Sequence, residues 1–351
     1  MDRDTQMNNL SKQIFTVSVA GLAGWLTSKT GMPLGWMIGA MLATAALSLF
    51  KLPMQQPAAV FHVVRASVGA MLGTAFTLEL LMSVPKWTTS IAGLLVAMAV
   101  MFVLAYVALR RLAHFDRPSA LLCAIPGGIA EMILLSETAG ADQARVSIVH
   151  ALRISLTILI LPVIIGLTTG LTVSSDQTTE IFTFNVPDFL WFALCVAAGF
   201  VAKRFLNVPA PLVVAPMVVS GALHISGLSD FVVPAALSNA VQVFIGINVG
   251  GRFAGVTFRA LSAVFGSAVV VVAVQISVAF AAATLAAQSM GFDILTMTLA
   301  YAPGGLAEMS LIAVATEADP AVVGLHHVFR VLVALVAAPL LLSRFAQAKD
   351  Q

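Results

Sequence analysis

The sequence predicts an all-α, polytopic membrane protein that is built from two homologous repeats. Of the 351 residues, 60% are hydrophobic and only 10% are charged, and the mean hydropathy is +1.00. Because soluble proteins carry about 25% charged residues, a chain of this composition is expected to lie in a lipid bilayer. The stretch Ala-Ile-Pro-Gly-Gly-Ile-Ala-Glu-Met at 124–132 returns as Ala-Pro-Gly-Gly-Leu-Ala-Glu-Met at 302–309, which indicates an internal duplication.

The apolar runs are divided equally between the two halves of the chain. In the first half they lie at roughly 14–29, 33–50, 60–82, 88–109, 117–138 and 143–169. In the second half they lie at roughly 187–205, 209–226, 232–254, 260–287, 293–316 and 320–343. Crossing a hydrocarbon core of about 30 Å takes about 20 helical residues, and the first two runs of each half are shorter than that. We therefore predict about 10–12 spans, with some short runs crossing only partly.

The duplication also predicts the domain organisation. Residues 1–172 are expected to form a first membrane repeat, 173–185 a polar connector and 186–351 a second membrane repeat. Lys and Arg residues lie at opposite ends of the repeat unit in the two halves. Positive residues mark the cytoplasmic side, so this shift favours repeats of inverted orientation. Six full crossings per copy would make the copies parallel, so inversion requires that one run in each copy does not cross completely.

The Pro-Gly-Gly motif predicts a broken helix in each copy. The helix opens at Asp116 or Asp293, so the motif falls ten to twelve residues later, near the middle of the bilayer. Proline lacks an N–H group and two glycines make the backbone permissive, which together interrupt a helix. The freed backbone groups must face protein or a wet cavity, because lipid cannot hydrogen-bond to them. Glu131 and Glu308 fall in the first turn of the second half-helix, near its positive dipole end.

A second helix in each copy carries the remaining polar residues. Asp142 and the Asp319-Pro320 pair are predicted N-caps, with proline in the first helical position. At 1.5 Å per residue, His150 lies roughly 11–12 Å along this helix and Arg153 roughly 16 Å, close to the middle of a core of about 30 Å. Residues three apart share one face of a helix, so the His and the Arg of each copy are expected to face the same neighbour.

These features define the predicted substrate- or ion-binding residues. They are Pro126, Gly127, Gly128, Glu131, His150, Arg153, Pro303, Gly304, Gly305, Glu308, His327 and Arg330. An ionisable group at this depth costs about 2.5–3.5 kcal/mol on insertion scales, which makes function the default interpretation. Two structural alternatives stay open. The Glu and Arg residues could form ion pairs that hold the core together, and the histidines could be hydrogen-bonded core residues.

Other residue types are expected to serve structure. The net charge is only +2 and no Lys/Arg-rich run exists, so nucleic acid is not an expected partner. Cys123 and Cys195 are isolated in apolar stretches and are interpreted as small core residues. His326 has Val149 as its counterpart, which lowers its standing as a site residue. The paired glycines on apolar runs are expected to allow close helix packing; they are Gly69, Gly73, Gly246 and Gly250.

The twice-repeated Pro-Gly-Gly-x-Ala-Glu-Met, followed in each copy by Asp, His and Arg, resembles the membrane AbrB family of Gram-negative bacteria over nearly the whole chain. The resemblance implies a relation to the cation:proton antiporter and anion transporter superfamily, with a NhaA-like fold of inverted repeats and crossed broken helices. It also implies a multi-pass protein of the bacterial inner (plasma) membrane, in contact with the lipid bilayer, and by analogy a homodimer. Members carry labels such as AbrB family transcriptional regulator and ammonia monooxygenase.

We therefore expect a secondary transporter of a small solute, coupled to H+ or Na+, with its site at the midplane between the two broken helices. The paired Arg residues and half-helix N-termini favour an organic anion as solute, whereas the Glu residues offer proton or cation binding. One alternative is a membrane regulatory or sensor protein that affects gene expression. Another is a membrane enzyme of the ammonia monooxygenase type, although the six His residues show no ligand cluster. We expect no enzymatic activity, cofactor or bound metal.

Overall fold

The computed structural model describes residues 3–78, 82, 84–169, 185–206, 210–316 and 318–347. Within these residues the regular secondary structure is α-helical apart from one short 3-10 helix, and it includes no strand. An α-helix satisfies its own backbone hydrogen bonds, which is the requirement that an apolar surrounding imposes on a spanning segment. The predicted all-α class is confirmed.

The described part of the chain contains fourteen α-helices, seven from each half. Those of the first half are α1 (Arg3–Ser28), α2 (Gly35–Leu49), α3 (Ala58–Gly73), α4 (Val84–Arg111), α5 (Arg117–Ala124), α6 (Ile129–Thr138) and α7 (Gln143–Thr169). Those of the second half are α8 (Val186–Phe205), α9 (Pro211–Ile225), α10 (Ala235–Gly250), α11 (Phe258–Met290), α12 (Ile294–Tyr301), α13 (Leu306–Ala315) and α14 (Pro320–Gln347). Each helix of the first half has a counterpart seven places later. The predicted connector lies outside the described residues except for Asn185, whose side chain caps α8.

Several helices have the length and composition of membrane spans. By these two criteria five helices of the described chain can cross a bilayer on their own: α4, α7, α8, α11 and α14. Four further apolar helices, α2, α3, α9 and α13, are shorter, with 10 to 16 residues. The chain is therefore a multi-pass membrane protein, as predicted. The total of about 10–12 crossings and the inverted orientation of the repeats stay predictions.

The chain folds into two compact units, and each unit takes helices from both halves of the sequence. The first unit comprises Met1–Ser83, Ile158–Gly255 and Ser310–Ala321. The second unit comprises Val84–Thr157, Val256–Met309 and Val322–Gln351. The compact units therefore do not coincide with the sequence repeats, because matching helices of the two halves assemble together.

Reciprocal packing between the two halves builds the first unit. Helix α2 packs against α10, and α9, the counterpart of α2, packs against α3, the counterpart of α10. A Cβ atom on Gly69 of α3 would lie 2.2 Å from the carbonyl oxygen of Val213 on α9. A Cβ atom on Gly246 of α10 would lie 2.4 Å from the carbonyl oxygen of Met37 on α2. Both glycines are required for the close approach of two backbones, which confirms the packing role predicted for them.

The second unit carries both Pro-Gly-Gly motifs. Its two longest helices, α4 and α11, pack against each other, and each also packs against a short helix of its own half, α4 against α5 and α11 against α12. The first part of α7, up to Thr157, and the part of α14 from Val322 onward belong to the same unit. This unit therefore holds every residue that the sequence predicts for the binding site.

Candidate functional site

Each motif helix opens on an aspartate cap, as predicted. The Asp116 carboxylate accepts a hydrogen bond of 2.8 Å from the backbone N–H of Ser119, and proline occupies the first turn of α5. The Asp293 carboxylate accepts the corresponding bond of 2.8 Å from the N–H of Thr296. An aspartate at this position satisfies backbone donors that a helix leaves free at its start. The caps therefore fix where α5 and α12 begin.

Both motif helices are broken at Pro-Gly-Gly, which confirms the predicted break. Helix α5 ends at Ala124 and α6 begins at Ile129; in the second copy, α12 ends at Tyr301 and α13 begins at Leu306. Gly128, the last residue of the first break, has an extended conformation with φ −70° and ψ 143°. The residues of each break up to its first glycine are buried. The freed backbone groups therefore lie in the protein interior, where they need protein partners.

Arginine side chains supply those partners in both copies. The Arg153 Nη1 atom donates to the Ile125 carbonyl at 3.0 Å, and its Nη2 atom donates to the Gly127 carbonyl at 2.8 Å. Arg330 makes the same pair of hydrogen bonds, to the carbonyls of Ala302 and Gly304. The fork of a guanidinium spans two acceptors at once, and its positive charge strengthens both bonds. Each arginine therefore stabilises the break of its own copy.

Histidine side chains bind the last turn of the half-helix before each break. The His150 Nε2 atom lies 3.0 Å from the Leu122 carbonyl, and the His327 Nε2 atom lies 2.9 Å from the Leu299 carbonyl. A carbonyl can only accept, so Nε2 carries the proton and, in the neutral ring, Nδ1 is an acceptor. Both rings are fully buried. The interpretation of these residues as hydrogen-bonded core histidines therefore describes their contacts, and a role in binding stays a prediction.

The two glutamates lie against the last glycine of each motif. A Cβ atom on Gly128 would be 2.0 Å from an Oε2 atom of Glu131, and one on Gly305 would be 1.9 Å from an Oε2 atom of Glu308. Each carboxylate thus folds back over the start of its half-helix, where the positive end of the helix dipole stabilises negative charge. Glu131 is partly exposed, whereas Glu308 is only 7% exposed. Because the second glycine of each motif has no side chain, the glutamate carboxylate can occupy the space beside it.

The first break also lies close to the arginine-bearing helix of the other copy. A Cβ atom on Gly127 would be 3.2 Å from the Cβ atom of Ala334, which is one turn beyond Arg330 on α14. The charges of Arg153 and Glu308 are both near enough to act on the Arg330 guanidinium. The second unit therefore brings the polar groups of the two copies into one electrostatic neighbourhood. The arginines lie in it with exposures of 2% and 4%.

Two further polar groups escaped the sequence analysis because they have no counterpart in the other repeat. The Gln275 Nε2 atom on α11 donates to the Ala124 carbonyl at 3.1 Å. The Tyr301 hydroxyl donates to the Ser90 carbonyl at 2.6 Å. The Ser90 hydroxyl lies 2.7 Å from the His326 Nε2 atom. Gln275 links the long helix α11 to the end of α5, and Tyr301 links the short helix α12 to the long helix α4, so each joins the two halves of the chain. A polar residue near the middle of a long apolar run is the signal that could have identified Gln275, whereas Tyr301, the last residue of α12, has no such signal.

The described residues contain neither a candidate metal site nor a disulfide. No three His, Cys, Asp or Glu side chains in that part of the chain come together in a group that could hold a metal ion. Cys123 and Cys195 are buried and unbridged, in agreement with their predicted place in the core.

Comparison with known proteins extends over nearly the whole chain. A family model described as Transition state regulatory protein AbrB matches residues 10–346. The uncharacterized protein YhjN of Bacillus subtilis (strain 168) is 26% identical over 362 residues, which cover 94% of this chain and 92% of that protein. A protein of Escherichia coli (strain K12), named AbrB and proposed there to be a regulator, is 23% identical over 317 residues, which cover 88% of this chain and 89% of that protein.

Proposed function

This chain belongs to the AbrB family, and we propose that it is a secondary transporter that couples movement of a small solute to H+ or Na+. The observation that carries this proposal is the pairing of two broken helices within one compact unit that draws on both repeats. Broken helices from paired repeats form the substrate site in many secondary transporters. In this chain each break also has a carboxylate at the start of its second half-helix.

The charges around the breaks support a coupled mechanism. Arg153 and Arg330 are engaged with backbone carbonyls, so they act as fixed positive charges that stay in place when a solute leaves. Glu131 and Glu308 are the groups whose charge can change when a proton or a cation binds. In a low-dielectric interior, neutralising one carboxylate strongly raises the affinity for an anion. By linkage, the anion raises the affinity for the proton or cation by the same factor.

The geometry also bears on the solute. The arginine fork is occupied by carbonyls of its own copy, so an organic anion would be attracted by the charges of the two arginines and by the half-helix N-termini once a carboxylate is neutralised. We propose an organic anion as the solute on that basis. The Glu–Arg ion pair considered from the sequence is not needed to explain the burial of the arginines, because the carbonyls of the break supply their partners.

Reconstitution in proteoliposomes tests the proposal. Vesicles carry a trapped pH dye, a pH or Na+ gradient is imposed, and a panel of mono- and dicarboxylates is added. We expect solute-dependent, gradient-driven flux that Glu308→Gln abolishes. The matched control is Glu137→Gln, which changes an exposed carboxylate on α6. If Glu308→Gln and Arg330→Ala leave all ion-coupled flux intact, the site assignment is wrong.

The second candidate is a membrane regulator or sensor, which the names of the matching family and of the Escherichia coli relative favour. Such a protein would use a transporter-like core without net transport. A pull-down that recovers a stoichiometric signalling partner, together with absent flux for every solute, would favour this candidate. We further propose that the transporter is located in the bacterial inner membrane and assembles as a homodimer. We also propose that its activity involves no enzymatic reaction, no cofactor and no nucleic acid.

A further inference from the structure

The amide side chain of Gln275 lies at the first break and has no role in the transport site proposed above. Gln275 lies near the middle of α11 and is fully buried. Its Nε2 atom donates to the carbonyl of Ala124, the last residue of α5 and the residue directly before the break. The position that matches it in the first repeat is Met98, so the amide occurs on one side of the pseudo-symmetric pair only.

Hydrogen-bond chemistry fixes the orientation of this amide. A carbonyl oxygen accepts and cannot donate, so the NH2 end of Gln275 must face Ala124. The Oε1 atom is therefore turned to another neighbour, and among the described residues it has no hydrogen-bond partner. A buried acceptor in this state is costly, and native proteins seldom keep one without a bound water, an ion or a function.

Several backbone oxygens around the first break are already engaged. The carbonyl of Leu122 accepts from His150, and those of Ile125 and Gly127 accept from Arg153. In other transporters such carbonyls coordinate the coupling ion. Here Gln275 binds the Ala124 carbonyl and presents its own amide oxygen instead.

We propose that the Gln275 Oε1 atom is a ligand for Na+ at the first helix break, so that Na+ is the coupling ion. The proposal rests on the transporter function above and selects between its two ions. An amide oxygen does not take up a proton in the physiological range, but it is a neutral oxygen ligand of the kind that hard cations bind. Glu131, in the first turn after the same break, supplies the negative charge that a cation needs.

A melting experiment on the purified protein in detergent tests this role. The probe is NaCl, compared at equal ionic strength with KCl and choline chloride. A ligand that binds the native state raises the melting temperature in a saturable way. We expect a saturable rise with NaCl only, with the apparent Na+ affinity lowered roughly tenfold or more by Gln275→Leu. Gln275→Glu keeps an oxygen ligand and is expected to keep the Na+ response, but at a lower melting temperature without salt, because a carboxylate cannot donate to the Ala124 carbonyl.

Gln242 provides the matched control. It is also a buried glutamine whose Oε1 atom has no partner among the described residues, but it lies on α10 in the first unit. Gln242→Leu is expected to change the melting temperature while leaving the Na+-dependent rise intact.

Three results would overturn the proposal, and each is distinct from failure of the transporter function. One is a wild-type melting temperature that responds equally to the three salts; because it needs no variant, it holds even if Gln275→Leu does not fold. Another is a Na+ response that survives in Gln275→Leu. The third is flux driven by H+ alone and abolished by Glu308→Gln, which would leave the transporter in place while refuting Na+ coupling. Absence of all flux, with a normal Na+ response, would refute the transporter function alone.

Discussion

Replacing Arg330 by lysine separates two roles that an intramembrane arginine can have. If the residue acts through its charge, lysine preserves that role. If it acts as a fork between two carbonyls, lysine does not, because one ammonium nitrogen cannot occupy both Nη positions. The structure shows the fork: the two terminal nitrogens bind the carbonyls of Ala302 and Gly304. We therefore expect Arg330→Lys to destabilise the protein although the net charge is unchanged.

The magnitude follows from the number of acceptors that lose their donor. The positive charge stays buried in the variant, so relief of arginine burial does not offset the loss. One of the two carbonyls is left without a donor in a buried break, which costs about 1–3 kcal/mol. Arg153→Lys should cost less, because the Ile125 carbonyl, which Arg153 forks together with that of Gly127, also accepts a hydrogen bond of 2.8 Å from the Gly127 N–H.

Unfolding of the purified protein in mixed detergent and denaturing surfactant measures this loss. The control is Arg145→Lys, at an exposed position near the start of α7 where the guanidinium pairs with the exposed Asp142. That change is expected to stay within about 0.5 kcal/mol of the wild type. An Arg330→Lys variant as stable as the wild type, yet with altered flux, would refute the fork and favour direct contact with the solute.

The remaining predictions concern glycine packing and the tyrosine link. Gly128→Ala should fold normally, since its backbone is extended, but lose flux, because the new Cβ displaces the flexible Glu131 carboxylate. Tyr301→Phe removes the second hydrogen bond of the Ser90 carbonyl, which keeps its helical bond inside α4, and should lower the unfolding free energy by about 0.5–1.5 kcal/mol in the same surfactant titration. Gly246→Ala should cost about 1–3 kcal/mol because its Cβ meets backbone, whereas Gly266→Ala, with nothing within 4 Å, should melt like the wild type.

The parts of the fold that sequence predicts well are those that local chemistry decides. A Pro-Gly-Gly sequence removes one backbone donor at the proline and relaxes the steric restraints on the backbone at the two glycines, so the break can be predicted without knowing the neighbouring helices. The same holds for Asp116 and Asp293, which cap the residues directly after them. Hydropathy predicts which stretches are helical, but the reciprocal packing of α2 with α10 and of α3 with α9 depends on contacts between distant parts of the chain.

The sequence does not predict which groups the side chains of the site residues contact. Spacing places His150 and Arg153 on one helix face, but it does not say whether that face meets a solute, a carboxylate or a carbonyl. The candidate site residues were those that occur in both repeats. Gln275 and Tyr301 occur in the second repeat only and were therefore not identified. The asymmetry that these two residues introduce between otherwise matching breaks is visible only in three dimensions.

The most direct test of the transport site is gradient-driven solute flux in proteoliposomes, measured side by side for the wild type, Glu131→Gln, Glu308→Gln and the exposed control Glu137→Gln. We expect flux that depends on both solute and ion gradient, and we expect it to be lost in Glu131→Gln and Glu308→Gln and retained in Glu137→Gln. Equal ion-coupled flux in all four proteins would contradict the claim that the two broken helices and their carboxylates form the site.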